Sequence, residues 1–166
     1  RDTDRSRGLG DVYKRQNFML SALNAYGVLE DDSTKRWAKA FLIAPAIRVI
    51  FELSLLALDK SCDEIHLPNI GVSAKHKENV SYVHRLFKNN KFQDYLQAGR
   101  IVFDTYQEAH SVIENTDFGE SVEYSSLGSH KSMKDYDIDT IMRLSNDAVL
   151  FAMLCQQYVQ FKKQGV

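Results

Sequence analysis

The residues best suited to chemistry lie in a short polar turn before the last predicted helix. Ser129, His130 and Lys131 follow one another in this turn. An imidazole transfers protons near neutral pH, and polar or cationic side chains beside a helix N-terminus are typical of a site for an anion such as phosphate. His130 is therefore a candidate catalytic residue, and Ser129, His130 and Lys131 are candidate anion-binding residues. In the alternative interpretation, His130 only ties the turn to the rest of the domain.

Arg48 and Glu52 are the other two candidate catalytic residues. They lie one helical turn apart within the most apolar stretch of the chain, residues 40–58. A bare buried ion pair is costly, and keeping one requires further hydrogen bonds. The pair is interpreted either as an intramolecular salt bridge or as a polar site at the centre of the domain or at a partner interface.

The other reactive side chains do not form a motif for metal, nucleotide or kinase chemistry. The remaining histidines lack the spacing of zinc ligands, and the sequence contains neither a P-loop nor an H-E-x-x-H motif. Asp117-Phe118-Gly119 matches a kinase tripeptide, but no glycine-rich loop or catalytic-loop motif precedes it. Cys62 and Cys155 are interpreted as two reduced thiols. We therefore expect no metal, no cofactor and a cytoplasmic location.

Four long helices are predicted to position these residues. The first begins near Asp32 or Ser33 and runs to about Lys60, and Pro45 either bends it or breaks it at Ala44. The others are expected over residues 74–88, 91–115 and 135–163, separated by loops at 61–73 and 116–134. A short apolar segment at 17–29 is interpreted as the remnant of a further helix.

The third predicted helix has the clearest pattern in the chain. Its apolar face alternates at spacings of four and three residues, through Phe92, Leu96, Gly99, Phe103, Tyr106, His110 and Ile113. This is the period of one helix face, so the pattern predicts a seam packed inside a bundle. His110 is interpreted as a core histidine hydrogen-bonded to a backbone carbonyl or a tyrosine, with a ligand or acid–base role as the alternative.

The last predicted helix carries a face of small side chains, which allows a neighbouring helix to pack closely. These are Ser145, Ala148, Ala152 and Cys155. Only 2 Pro and 8 Gly occur in 166 residues, so long helices are favoured over strands. The predicted fold is all-α, an antiparallel bundle of four or five helices, in a single domain of residues 17–166.

Three of these features together resemble the HEPN group of helical domains, which are widespread in bacterial defence and toxin–antitoxin systems. They are the long helix containing AIRVIFELSL at residues 46–55, the pair of middle helices, and the small-residue turn SLGSHK at 126–131 before the last helix. The resemblance covers roughly residues 33–163. In nuclease members of the group, an arginine four to six residues before the histidine acts with it to cleave RNA at a dimer interface.

This chain departs from the nuclease pattern. The positions four to six before His130 are Tyr124, Ser125 and Ser126, and none of the other histidines has an arginine at that spacing. The resemblance therefore implies a non-catalytic helper or interaction domain, of a kind that can dimerise and that occurs in abortive-infection and restriction-linked proteins.

The first sixteen residues differ from the rest of the chain. They are polar, half charged and without periodicity, and residues 11–16, DVYKRQ, resemble a translated adapter of sequencing libraries. Residues 1–16 are interpreted as a non-native or disordered arm, with a native flexible arm as the alternative. On the first interpretation, the chain is expected to be the C-terminal part of a longer protein.

The charge balance limits the partners. A net charge of −1 provides no overall field that would attract nucleic acid, and the charges within residues 40–58 oppose a membrane span there. The leading hypothesis is a HEPN-like interaction or helper domain that binds a second copy of itself or another protein. The alternatives are a diverged, metal-independent RNA nuclease using His130 and a structural dimerisation bundle.

Overall fold

The computed structural model describes residues 43–99, 106–127 and 138–164 of the chain. These residues form six helices: α1 Ala44–Ser61, α2 Ser73–Phe87, α3 Asn90–Gly99, α4 Tyr106–Asn115, α5 Phe118–Leu127 and α6 Ile138–Lys163. The described ranges contain no strand, and the predicted all-α fold class is confirmed. The predicted arm at 1–16 and the predicted helical segments before residue 43 lie outside the described residues.

Helix α1 is the central element that the sequence predicts. Pro45 stands in its first turn, where a missing backbone N–H costs nothing. Its most deeply buried side chains recur every three or four residues: Ile47, Ile50, Phe51, Leu55 and Leu58. The helix ends at Ser61, one residue beyond the predicted end.

The single helix predicted over residues 91–115 is wrong. Helix α3 ends at Gly99 and α4 begins at Tyr106. Nδ1 of His110 on α4 lies 2.7 Å from Oε1 of Gln93 on α3, whereas residues seventeen apart in one straight helix are separated by about 25 Å. The two helices therefore lie side by side, and the predicted seam is divided between them.

The long loop predicted over residues 116–134 is also wrong in its first part, because α5 occupies Phe118–Leu127. Asp117 starts this helix, since its Oδ1 accepts a hydrogen bond of 2.9 Å from the backbone N–H of Glu120. One face of α5 is buried at helical spacing: Phe118, Ser121, Val122 and Ser125. Residues 128–134 of the predicted loop, and the first three residues of the predicted last helix, lie outside the described residues.

Helix α5 runs antiparallel to its neighbour α6. The rings of Phe118 and Phe151 are 5.4 Å apart, and the Ser121 hydroxyl donates to Oδ2 of Asp147 at 2.5 Å. As the residue number increases along α5, the number of the contacting residue on α6 decreases.

Helices α1 and α6 are parallel neighbours. The rings of Phe51 and Phe151 are 5.2 Å apart, and farther along both segments Nζ of Lys162 lies 2.6 Å from Oε2 of Glu64. The described bundle therefore contains a parallel pair of helices besides the antiparallel pair of α5 and α6.

The core of the bundle is rich in phenylalanine. Phe151 on α6 lies at its centre, with ring centroids 5.2, 5.7 and 5.4 Å from those of three other buried rings: Phe51, Phe87 and Phe118. The predicted small-residue face of α6 is buried in full. None of the helices in the described ranges has the length and apolar content needed to cross a bilayer.

Candidate functional site

The structure describes two of the five sequence-predicted site residues, Arg48 and Glu52. Arg48 and Glu52 are both partly exposed on α1, not at the centre of the domain. Oε2 of Glu52 lies 3.9 Å from Nε2 of His76 on α2, and Arg48 forms no ion pair with the side chains that the structure describes. The expected salt bridge is therefore replaced by a contact between helices. Ser129, His130 and Lys131 lie outside the described residues.

Two histidines of α2 donate hydrogen bonds to backbone carbonyls. Nε2 of His76 lies 2.6 Å from the carbonyl oxygen of Ile70, and Nε2 of His84 lies 2.6 Å from that of Ile113. A carbonyl oxygen only accepts, so each of these nitrogens carries a proton. Both imidazoles therefore join α2 to a neighbouring segment.

The interpretation of His110 as a core residue is wrong. Its side chain is exposed on α4, and its Nδ1 is bonded to the side-chain oxygen of Gln93, which is itself fully buried. The helical period placed His110 on the apolar face of a continuous helix. Because α3 and α4 are separate helices, that face does not continue through both.

We expect His84 to make the domain less stable as the pH falls. Burial lowers the pKa of His84 in the folded domain, whereas in the unfolded chain the pKa is about 6.5. At a pH between these two pKa values, the unfolded chain therefore binds more protons than the folded domain. The free energy of unfolding should therefore decrease as the pH falls through this window. Urea titrations of wild type and His84→Gln between pH 7.5 and 5 measure the effect, because glutamine retains a donor and does not titrate. Equal pH dependence in the two proteins would contradict the assignment.

A partly buried carboxylate links α5 to α6. Oδ2 of Asp147 accepts a hydrogen bond from the Ser121 hydroxyl and lies 3.9 Å from Nη1 of Arg143. Burial raises the pKa of Asp147. Across the described ranges, no three side chains of the metal-binding types cluster as metal ligands. We interpret this contact as structural.

The segment joining α1 to α2, residues 62–72, forms a strap that is held at three points. The backbone N–H of Leu67 donates to Oδ1 of Asp59 at 2.7 Å, and Nδ2 of Asn79 donates to the carbonyl of Pro68 at 3.0 Å. The third point is the bond from His76 to Ile70. These contacts fix the strap against both helices although it has no regular secondary structure.

The strap and the exposed side of α2 enclose the candidate functional site, an open cleft of about 580 Å³. Its walls include His66 and Pro68 from the strap and Lys77, Glu78, Tyr82 and Arg85 from α2. This volume is within the range of ligand-binding clefts, about 300–1,000 Å³. The cleft could not be predicted from the sequence, because its residues form no motif and their types are ordinary on a helix surface.

Most charges in the cleft are already paired. Lys77 donates to Oε2 of Glu123 at 2.5 Å, and this bond raises the pKa of Lys77. Glu78 accepts from Nζ of Lys75 at 2.8 Å. The charge of Arg85 is the exception.

The guanidinium carbon of Arg85 lies 5.9 Å from the ring centroid of Tyr82 and forms no ion pair with any described side chain. Tyr82 is itself 37% exposed. The cleft therefore presents a permanent cation beside an accessible aromatic ring, an arrangement suited to binding a carboxylate or phosphate next to an apolar group.

No family model, curated protein or solved structure matches this chain. The chemistry of the cleft is consequently the main guide to function within the described residues.

Proposed function

We propose that this chain is a non-catalytic, HEPN-like interaction domain of a bacterial defence system and that it binds a protein partner. The observation that supports this most is the cleft with Tyr82 and Arg85 at its wall. Tyrosine and arginine are enriched among the residues that dominate the energy of protein interfaces. Within the described part of the chain, Arg85 has no anionic partner and Tyr82 is exposed, so both side chains are available to a partner.

The rigid frame of the cleft also supports a binding role. The strap is held by Asp59, His76 and Asn79, two of which are on the helix that carries Tyr82 and Arg85. Walls that are ordered before association reduce the entropy lost on binding. The cleft therefore has the preorganisation expected of a recognition surface.

Three of the four described histidines have structural partners, which agrees with a binding function; the fourth, His66, is exposed in the strap and lines the cleft. His76, His84 and His110 each use a ring nitrogen in a hydrogen bond between segments of the bundle. A base for RNA cleavage must approach the 2′-hydroxyl, and positive charge must lie where the phosphorane develops. The alternative of a diverged nuclease depends on His130.

An RNA cleavage assay tests the non-catalytic proposal. The purified 166-residue chain and its His130→Ala variant are incubated with labelled single-stranded RNA and with tRNA, without added metal. We expect both proteins to leave both RNAs intact. Cleavage by the wild-type chain that His130→Ala abolishes would overturn the proposal in favour of the nuclease.

A further inference from the structure

We propose that the cleft between the strap and α2 binds an extended segment of a partner protein through an acidic side chain, which pairs with Arg85, and an apolar side chain, which packs on Tyr82. This inference rests on the proposed interaction function and specifies the chemistry of the partner. It follows from the charges, the aromatic wall and the volume of the cleft.

The charges of the cleft favour a ligand with one anionic group. Lys77 and Glu78 each have a partner of opposite charge outside the cleft, Glu123 and Lys75. Arg85 is left as the permanent cation without such a partner among the described side chains. A carboxylate can accept two parallel hydrogen bonds from a guanidinium, which makes aspartate or glutamate a suitable partner for it.

The same charges argue against RNA as the occupant. Tight binding to a nucleic acid requires the neutralisation of several phosphates by lysine or arginine. Of the charged side chains that line the cleft, Lys77 already pairs with Glu123, which leaves Arg85 as the cation available to a phosphate among the described residues. A continuous phosphate backbone would need several such cations, whereas a protein segment needs to place only one acid at Arg85.

The remaining walls fit the neighbouring part of such a segment. The exposed ring of Tyr82 and the exposed Pro68 provide apolar surface, and the exposed imidazole of His66 provides a polar group at the strap. Tyrosine contributes a large contact area with little loss of side-chain entropy. An apolar residue next to the acid would therefore be accommodated beside Tyr82.

The first experiment selects binders from an unbiased random twelve-residue peptide library on the immobilised full-length chain. We expect the enriched peptides to share an aspartate or glutamate next to an aromatic or aliphatic residue. If the enriched peptides lack an acid, or if no peptide is enriched, the inference is overturned. The RNA assay tests the proposed function separately.

The second experiment measures the affinity of the best enriched peptide by fluorescence anisotropy. Arg85→Gln and Tyr82→Ala should each weaken binding at least tenfold, whereas Arg143→Gln, at an exposed arginine of α6 outside the cleft lining, should change it less than twofold. Circular dichroism melting of each variant controls for folding. Equal affinities for wild type and Arg85→Gln would overturn the inference.

A charge exchange distinguishes a direct contact from an indirect structural effect. Arg85→Glu should abolish binding of the selected peptide. A peptide in which arginine replaces the acid should bind Arg85→Glu but should not bind the wild type. Failure of this rescue, in a variant with an unchanged melting temperature, would contradict the proposed pairing. If a single-stranded RNA of twelve nucleotides binds the wild type but not Arg85→Gln, the occupant of the cleft is RNA and not a protein segment.

Discussion

Replacing Phe151 by alanine is expected to lower the free energy of unfolding by about 3–5 kcal/mol. Phe151 is fully buried, and its ring contacts rings from three other helices, those of Phe51, Phe87 and Phe118. Alanine would leave a cavity where α1, α2, α5 and α6 meet, and these helices could close it only by moving together. Since domains of this size have a stability of about 5–15 kcal/mol, such a loss would remove a substantial part of it.

Denaturant titration followed by far-ultraviolet circular dichroism measures this effect. The matched control is Met142→Ala on the same helix, because Met142 is 43% exposed and its truncation should change stability by about 0.5 kcal/mol or less. A cost below about 1 kcal/mol for Phe151→Ala would show that the aromatic cluster is not the core.

Replacing Gly119 by leucine is expected to cost about 1–3 kcal/mol through overpacking. Gly119 lies in the first turn of α5, where the helix passes close to α2. A Cβ atom built at this position would lie 2.7 Å from Oγ of Ser81 and 3.3 Å from Oδ1 of Asp117. The additional atoms of leucine would have to separate α5 from α2 or displace the capping carboxylate of Asp117.

A pair of smaller substitutions isolates the contact with Ser81. In the wild type, Gly119→Ala combines this clash with a gain in helix propensity of up to about 1 kcal/mol. In a Ser81→Ala background the nearest atom is absent, so Gly119→Ala should be more favourable there than in the wild type. Thermal unfolding of the four proteins provides the comparison, and equal effects in the two backgrounds would show that the helices do not meet at this point.

The sequence alone was sufficient for elements whose buried residues repeat with the helical period. The helix expected over residues 74–88 carries Val80, Val83 and Phe87 at the spacing of one helix face, and all three are fully buried. The small-residue face of α6 was predicted in the same way. In these elements the core lies on one side of one helix, so local spacing contains the necessary information.

Local spacing is not sufficient where one helical period is compatible with two different structures. An alternation of four and three residues is equally compatible with one long helix and with two shorter helices, so it did not reveal that α3 ends at Gly99. Helix α5 was missed for another reason, because half of its buried face is serine, at Ser121 and Ser125. The capping pattern of Asp117 and Glu120 was a local signal that could have identified its start.

The candidate site depended on tertiary structure. Arg48 and Glu52 have the spacing of an ion pair on one helix, yet Glu52 approaches His76 because α2 packs beside it. The cleft exists because side chains of α1 and α2 bind the backbone of the strap, as Asn79 binds Pro68 eleven residues earlier. Spacing along the chain determines which side chains share a helix face, whereas the packing of neighbouring segments determines which of them meet.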